Sequence, residues 1–284
     1  MRRIKNKLQS YTKVVLCLTL CIVIAFSCVC ISFASVRIKG FGVYRQGNAP
    51  NPSGHAGLVY AQNISINDPI IHVAQEAGQL VHRAEMTVFK DGQDFYGYYV
   101  PKTFKNLSAA EKVTKMDSVI AIADDFLGLS TATLSYNPAA QIWYSVDLNG
   151  NGKVDPAEIT SMRCDGLVEY AYEYNGFSVY GGNISIFDTE IRNNHIAPNV
   201  TPKQQIKHYL QNCLGDIDGD GNVSSADSRL VSRYAVDLEE FDAYQQWNAD
   251  VDGDNDVDSE DARLVMRYAS GLETGFEADP FPSE

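Results

Sequence analysis

The C-terminal part of the chain is defined by the stretch DIDGDGNVSSAD, residues 216–227, and by its near-copy DVDGDNDVDSED, residues 250–261. In both copies, oxygen-bearing side chains stand at positions 1, 3, 5, 9 and 12, position 7 offers its backbone carbonyl, and position 6 must turn sharply. This spacing supplies the roughly six to eight oxygen ligands that a calcium ion requires. Gly221 suits the turn in the first copy, and Asn255 is the next best residue for a left-handed conformation in the second. The predicted ligands are Asp216, Asp218, Asp220, Asn222, Ser224 and Asp227, and then Asp250, Asp252, Asp254, Asp256, Asp258 and Asp261.

The segments that follow the two loops are also duplicated. Residues 229–235 and 263–269 share the pattern Arg-Leu-Val-x-Arg-Tyr-Ala, in which the apolar residues recur at helical spacing. The repeating unit is therefore an EF-hand-like calcium loop followed by a helix. This pattern, from Leu214 to about Glu273, resembles the type I dockerin module of cellulosomal proteins. The resemblance implies two bound calcium ions, an extracellular location and a cohesin domain of a scaffoldin as partner.

The resemblance also implies which residues contact the cohesin. They are the tenth and eleventh residues of each loop and residues a turn or two further on. In the first repeat these are Ser225, Ala226, Ser232 and Arg233, and in the second they are Ser259, Glu260, Met266 and Arg267. The two repeats differ at two of these four positions, Ala226 against Glu260 and Ser232 against Met266, so a symmetric dual binding mode is less assured.

The N-terminus has the features of a signal peptide. Residues 14–33 are continuously apolar or small, and residues 1–34 contain basic residues but no acids. Ser32-Phe33-Ala34 resembles a cleavage site. We therefore predict a signal peptide over residues 1–34 and a secreted, extracellular protein with no membrane association after cleavage. The apolar run is long, so a retained N-terminal anchor is the alternative.

Charge and cysteine usage narrow the class of protein. The chain has 284 residues and a formal net charge of −13, which makes it a poor nucleic-acid binder. Four of the six cysteines lie in the predicted signal peptide, and only Cys164 and Cys213 remain. The mature protein is therefore not a disulfide scaffold. The two thiols either form a single bridge or stay free, and a free thiol in a secreted protein points to a function.

The region between the signal peptide and the dockerin is long enough for one domain with a core of its own. Four runs rich in aromatic and β-branched residues predict strands at 56–61, 69–73, 79–82 and 95–100, and a shorter extended piece is expected at 142–146. Ser108 and Glu111 form a capping box that predicts a helix to about Phe126, ended by Gly128. We expect Val119, Ile120, Ile122, Ala123 and Phe126 to form its buried stripe.

A third calcium loop is predicted inside this domain. Residues 147–158 read DLNGNGKVDPAE, which fits the EF-hand pattern at every position. Its ligands would be Asp147, Asn149, Asn151, the Lys153 carbonyl, Asp155 and Glu158. The loop ends in Glu rather than Asp, so it is not a third dockerin repeat.

Directly after this loop, the sequence predicts a nucleophile. Residues 163–172 read RCDGLVEYAY, whose helical periodicity places Cys164 at a helix N-terminus, where free amides and the helix dipole favour the thiolate. A thiolate nucleophile needs an imidazole base. His55 and His72 lie in neighbouring predicted strands, so one imidazole can orient the other.

The central domain resembles the NlpC-type papain-like cell-wall peptidases. Cys-Asp-Gly-Leu-Val resembles their Cys-Ser-Gly-Leu/Phe-Val motif, and Gly-His-Ala-Gly-Leu-Val-Tyr resembles their histidine strand. The order His55, His72, Cys164 is that of circularly permuted members. The resemblance implies Cys164 as nucleophile, His55 as base and then acid, and His72 as the residue that orients His55. Asp165 replaces the usual Ser, and the tyrosine that helps to hold the oxyanion has no clear counterpart, so the backbone amide of Cys164 is the one oxyanion donor we name.

Together these patterns predict an α+β protein. A permuted papain-like domain of antiparallel sheet plus helices spans residues 35–205 and contains the loop at 147–158. A connecting helix at 206–213, a small all-α dockerin at 214–276 and a tail at 277–284 follow. The main functional hypothesis is a cellulosome-associated cysteine hydrolase acting on peptide, amide or ester bonds. A non-catalytic binding or adaptor protein and a carbohydrate-active hydrolase of polysaccharide degradation are the alternatives.

Overall fold

A computed structural model describes residues 38–48, 54–60, 69–76, 78–137, 142–144, 149–150, 154–179 and 201–281 of the chain. The predicted signal peptide lies outside these residues. All the described residues belong to one compact unit, Val36–Glu284. Across the part of the chain that is described, no helix is both long enough and apolar enough to cross a membrane.

The main sheet carries the predicted strands of the central domain. Its strands lie in the order β4-β3-β2-β1-β5-β9, and every neighbouring pair is antiparallel. The strands are β1 (Gly42–Arg45), β2 (His55–Val59), β3 (Pro69–Glu76), β4 (Gln79–Glu85), β5 (Phe95–Pro101) and β9 (Leu210–Asn212). The four predicted strands at 56–61, 69–73, 79–82 and 95–100 are thus confirmed as β2 to β5, with ends that shift by up to a few residues. β1 was not predicted.

The described residues also form a smaller sheet and seven α-helices, three of which lie in the dockerin segment. The small sheet has the order β6-β8-β7, in which β6 (Ser135–Tyr136) is parallel to β8 (Ile159–Met162) and β7 (Ile142–Tyr144) is antiparallel to it. The helices are α1 (Met86–Lys90), α2 (Ala109–Asp124), α3 (Cys164–Tyr174), α4 (Pro202–Gln204), α5 (Ser225–Tyr234), α6 (Ala243–Ala249) and α7 (Ser259–Ala269). The chain is therefore a mixed α/β protein with an antiparallel sheet and several helices.

Helix α2 begins at the predicted capping box. The Ser108 hydroxyl accepts a hydrogen bond from the Glu111 amide, and the Glu111 carboxylate accepts one from the Ser108 amide in return. Of the predicted stripe, Val119, Ile120, Ala123 and Phe126 are buried, whereas Ile122 is half-buried. This stripe packs α2 against α3, which in turn packs on β2 and β3. The helix that begins with Cys164 is thus held between the sheet and α2.

The predicted connecting helix at 206–213 is wrong in its second half. Helix α4 gives way to one π-helical turn, Gln205–Tyr209, and Leu210–Asn212 then form β9. β9 pairs with Tyr99, Val100 and Pro101 of β5. An open edge of β5 would leave its amides and carbonyls unpaired, so pairing along this edge overrides the local helical pattern. The expected connecting helix at 206–213 is therefore helical only as far as Tyr209 and is a sheet strand from Leu210 to Asn212.

The dockerin segment has two matching halves. Helices α5 and α7 follow the two calcium loops, and the short helix α6 leads into the second loop. Each half closes with a stacked aromatic pair, Tyr234 on Phe241 at 4.3 Å and Tyr268 on Phe276 at 4.7 Å between ring centroids. Its core consists of Leu214, Ile217, Val231, Phe241, Ala249, Val251, Ala262 and Val265.

Candidate functional site

The two dockerin loops bring their acidic side chains together. In the first loop, carboxylate oxygens of Asp216, Asp218 and Asp227 all lie within 4.8 Å of one another. In the second, the same holds for Asp250, Asp252 and Asp254. Both turns have the predicted left-handed backbone, with φ of +83° at Gly221 and +69° at Asn255. These are the geometry and the donor set that suit a hard divalent cation.

The electrostatics of these carboxylates also fit a cation. Burial raises the pKa of Asp216 well above its ordinary value, and the neighbouring charges of Asp227 and Asp218 raise it further. Burial likewise raises the pKa of Asp218 to about 6 and that of Asp261 to about 6. Clustered carboxylates out of water are costly unless a positive charge offsets them. A bound cation such as calcium would therefore favour the ionised form of these acids.

The last acid of each loop also begins the helix that follows. Asp227 accepts hydrogen bonds from the amides of Ile217 and Ser224, and Ser224 caps α5. Asp261 accepts the corresponding bonds from Val251 and Asp258, and Asp258 caps α7. This capping box ties each calcium loop to its helix. The last acid of each loop therefore joins the loop to the start of its helix.

The residues assigned to cohesin contact lie on α5 and α7. Ser225, Ser232, Ser259, Glu260 and Met266 are exposed, whereas Ala226, Arg233 and Arg267 are half-buried. The two arginines are held in the same way, by Glu239 at 2.8 Å and by Glu273 at 2.7 Å. Each half thus presents its own helix surface to solvent.

The third predicted calcium loop is described only in part. The Asn149 side chain donates to Asp155 at 2.6 Å, and the Asp155 amide donates to Glu158 at 2.9 Å. Asp147, Asn151 and Lys153 lie outside the described residues. Two tyrosines of α3 reach this loop, because the Tyr174 hydroxyl donates to Asp155 at 2.9 Å and the Tyr170 hydroxyl donates to the Val154 carbonyl at 2.6 Å. The loop is therefore joined directly to the helix that begins with Cys164.

Cys164 is the first residue of α3, as the helical pattern predicts. Its side chain is only 1% exposed, and the amide of Ala56 on β2 donates a hydrogen bond to it. Both Cys164 and Cys213 are free thiols, so the alternative of a bridge between them is wrong. The thiol therefore lies against the strand that also carries His55.

The two imidazoles are paired as the adjacent strands predict. His55 Nε2 lies 2.8 Å from His72 Nδ1, and Phe89 packs against both rings. His72 stands opposite His82 in the β3–β4 register. His82 itself bonds through Nε2 to the Gln79 carbonyl at 2.9 Å. The two imidazoles are thus fixed in one mutual orientation, with His55 on the same strand as Ala56, which contacts Cys164.

Burial keeps the thiol and both imidazoles neutral. Burial, with a smaller contribution from the charge of Asp165, raises the pKa of Cys164 to about 12 against the opposing effects of the Ala56 amide and Arg163. Burial, with a smaller contribution from His82, lowers the pKa of His72 to about 4. Burial also lowers the pKa of His55 well below its ordinary value, and His72 and Arg45 add to this. The expected lowering of the thiol pKa by the helix N-terminus is therefore wrong for this closed site, because desolvation outweighs it.

The two residues that flank Cys164 form a buried ion pair with each other, which was not predicted from the sequence. Arg163 binds Asp165 through two hydrogen bonds of 2.6 and 2.7 Å, and both side chains are buried. Gln205 donates to the Asp165 carbonyl at 3.0 Å. The signal was available in the sequence Arg-Cys-Asp, because opposite charges two residues apart at a helix start can meet across the residue between them. The pair fixes the backbone on both sides of Cys164.

Two further residues near the thiol were missed. Arg45 stands opposite His55 in the β1–β2 register and is buried, with its Nε donating to the Phe89 carbonyl at 2.6 Å. Tyr136 stands opposite Met162 in the β6–β8 register, two residues before Cys164, and its side chain is 40% exposed. Cys164 is among the charges that raise the pKa of Tyr136. Neither residue belongs to a recognisable sequence motif, so only the fold brings them to the site.

The comparisons with known proteins bear on the C-terminal part of the chain. No curated protein and no solved structure matches the chain. The family model of the dockerin type I domain matches residues 214–269. The chain therefore carries a type I dockerin domain, which binds calcium and the cohesin of a scaffoldin and marks an extracellular, cellulosome-associated protein.

Proposed function

We propose that this protein is a thiol hydrolase that its dockerin attaches to a scaffoldin. The observation that carries the proposal is the 2.8 Å contact between His55 and His72. His55 lies on β2, the strand whose Ala56 amide donates a hydrogen bond to the Cys164 thiol. A nucleophile, a base and a residue that orients the base are the three parts of acyl-transfer catalysis by a cysteine. The order of these residues along the chain supports a permuted papain-like domain. The bond cleaved would be a peptide, amide or ester.

The proposed reaction begins with proton transfer inside this group. His55 Nε2–H donates to His72 Nδ1, which leaves His55 Nδ1 free to accept the thiol proton as Cys164 Sγ attacks the substrate carbonyl carbon. The C–N or C–O bond then breaks, the leaving group takes the proton from His55, and a thioester remains on Cys164. Water, deprotonated by His55, attacks the thioester and releases the acid with the free thiol.

Neutral partners change the expected form of catalysis. Because the pKa of Cys164 is raised and that of His55 is lowered, the resting site holds thiol and imidazole rather than thiolate and imidazolium. The proton therefore moves during the attack and not before it. Substrate binding would need to bring polar groups to the thiol before the charge can develop.

The developing oxyanion needs donors. The Cys164 amide, in the first turn of α3, is one donor. We propose the Tyr136 hydroxyl as the second, since β6 runs beside β8 and its half-exposed tyrosine is within electrostatic reach of the thiol. Tyr136 would then take the role of the oxyanion-binding tyrosine, for which the sequence showed no clear counterpart.

The third calcium loop would stiffen the nucleophile helix. Asp155 and Glu158 offer carboxylate oxygens, and Tyr174 and Tyr170 connect this loop to α3. We propose that calcium at residues 147–158 orders α3 from its C-terminal half, in addition to the two ions of the dockerin. A calcium-stripped protein that keeps the full thermal stability of α3 would contradict this.

A non-catalytic binding or adaptor role is the second candidate. One observation favours it, since a thiol that is 1% exposed with a raised pKa is typical of a structural cysteine. In that case Cys164 and the histidine pair would only pack the domain. The two candidates differ in whether Cys164 ever forms a covalent acyl intermediate.

Acylation by p-nitrophenyl acetate tests the proposal. We expect the wild-type protein to release one equivalent of p-nitrophenol in a burst and to carry an acetyl group on the peptide that contains Cys164. His55→Ala should lose the burst, because the proposal makes His55 the base for the thiol, whereas His208→Ala, which changes an exposed histidine, should retain it. Absence of Cys164 acetylation in the folded wild type, or equal acetylation in His55→Ala, would favour the non-catalytic role.

A further inference from the structure

The dockerin packs directly on the central domain. Tyr244 of α6 lies edge-on to Tyr98 at 4.9 Å and to Phe41 at 6.0 Å. Trp247 of the same helix lies edge-on to Phe95 at 4.8 Å. Strand β9 joins the main sheet immediately before the first calcium loop begins. The dockerin is therefore fixed to the central domain by a packed aromatic interface and a shared sheet.

The first calcium loop is itself part of this interface. Gln211 Nε2 donates to the Gly221 carbonyl at 3.0 Å, and Lys112 of α2 donates to the Asp220 carbonyl. A Cβ atom at Gly221 would lie 2.6 Å from the ring of Phe104. That ring is buried and packs edge-on against Phe41 at 5.4 Å, so it has little room to move. The sixth position of the first loop thus touches the core of the central domain.

The second loop offers a natural comparison. Its sixth residue, Asn255, has the same left-handed backbone but is exposed. The two loops are nearly identical in ligand chemistry, and the difference is that the central domain covers the turn of the first. The loops also differ at position 9, Ser224 against Asp258, so the contribution of the contact is measured by changing the contact within the first loop.

We propose that calcium binding in the first loop is thermodynamically coupled to the central domain, whereas binding in the second loop is not. The ion fixes the loop, and only a fixed loop presents the Gly221 turn and carbonyl to Phe104 and Gln211. By linkage, whatever the contact contributes to calcium affinity, calcium contributes equally to the stability of the contact. The two calcium sites are therefore inequivalent, and the first ion supports the fold of the central domain.

A residue swap tests this coupling in the full chain. Gly221→Asn gives the first loop the residue that the second already tolerates, but it places a Cβ against Phe104. The reverse change, Asn255→Gly, is the matched control. In calorimetric titration with calcium alone, we expect Gly221→Asn to weaken one of the two dockerin sites about 5- to 150-fold, which is the range for overpacking. Asn255→Gly should leave that site unchanged.

A second variant separates the interface from the loop. Gln211→Leu lies outside the loop, changes no charge, and removes the bond to the Gly221 carbonyl, so the same site should weaken about 2- to 10-fold. Calcium should also slow amide hydrogen exchange in β5 and around Phe104 in the wild type and in Asn255→Gly, but less in the other two variants. Unchanged affinity in Gln211→Leu, an equal loss at both sites, or the same calcium-induced protection in every variant would overturn the proposal.

Discussion

Iodoacetamide should label Cys164 far more slowly in the folded protein than in the unfolded chain. Only the thiolate reacts, and burial raises the pKa of this thiol to about 12. At pH 7 a group with that pKa is ~1 part in 100,000 ionised, whereas an unperturbed cysteine with a pKa of roughly 8.5 is about 3% ionised. Ionisation alone therefore predicts a labelling rate about 3,000-fold below that of the unfolded chain, before steric exclusion is added.

The assay is a pH series of alkylation rates, resolved by peptide mass spectrometry so that each cysteine is read separately. The rate at Cys164 should rise about tenfold per pH unit from pH 6 to pH 10, with no plateau. Cys213 is an internal reference, because it is equally buried and its pKa is also raised. In urea, both thiols should react alike. A plateau for Cys164 below pH 8 in the folded protein would refute the neutral-thiol argument and restore a preformed thiolate.

Three further predictions concern the surroundings of the thiol. The lowered pKa of His72 means that, on acidification, the unfolded chain binds a proton that the folded site excludes. The free energy of unfolding should therefore fall by about 3 kcal/mol between pH 6.5 and pH 4, and in His72→Asn this fall, measured by urea unfolding, should be smaller. Asp165→Asn breaks the buried ion pair with Arg163, which should cost about 3–5 kcal/mol in urea unfolding, and it should also speed alkylation of Cys164, since Asp165 opposes the thiolate. Tyr174→Phe removes the bond to Asp155 and should cost about 1 kcal/mol in the same assay, with a smaller calcium-induced gain in stability.

The parts of the fold that the sequence predicts are those governed by neighbours along the chain. The capping box at Ser108 and Glu111, the loop turns at Gly221 and Asn255 and the helix start at Cys164 depend on a few adjacent residues, and all have the expected conformation. The pairing of the two imidazoles also follows from local patterns, since it needs only neighbouring antiparallel strands.

The features that the sequence does not predict are those decided by distant contacts. Leu210–Asn212 form a strand because the edge of β5 is available, which no local pattern reports. The pKa of Cys164 rises because the domain closes over it, although its position at a helix start favours the opposite. Arg45 reaches the site only through the strand register of β1 and β2. In each case the three-dimensional environment overrides a preference that is correct for the isolated segment.

One residue connects the closed thiol site to the dockerin. Gln205 donates to the Asp165 carbonyl and to Glu169 at 3.2 Å, and it accepts from the Tyr44 hydroxyl at 3.0 Å. The same short segment continues through the π-helical turn into β9 and then into the first calcium loop. Contiguity of this kind is not coupling, because coupling requires two states whose balance both ends shift. In the dockerin, the two states are the calcium-bound and the calcium-free loop. The alkylation rate of Cys164 with and without calcium reports whether the thiol site responds to this change.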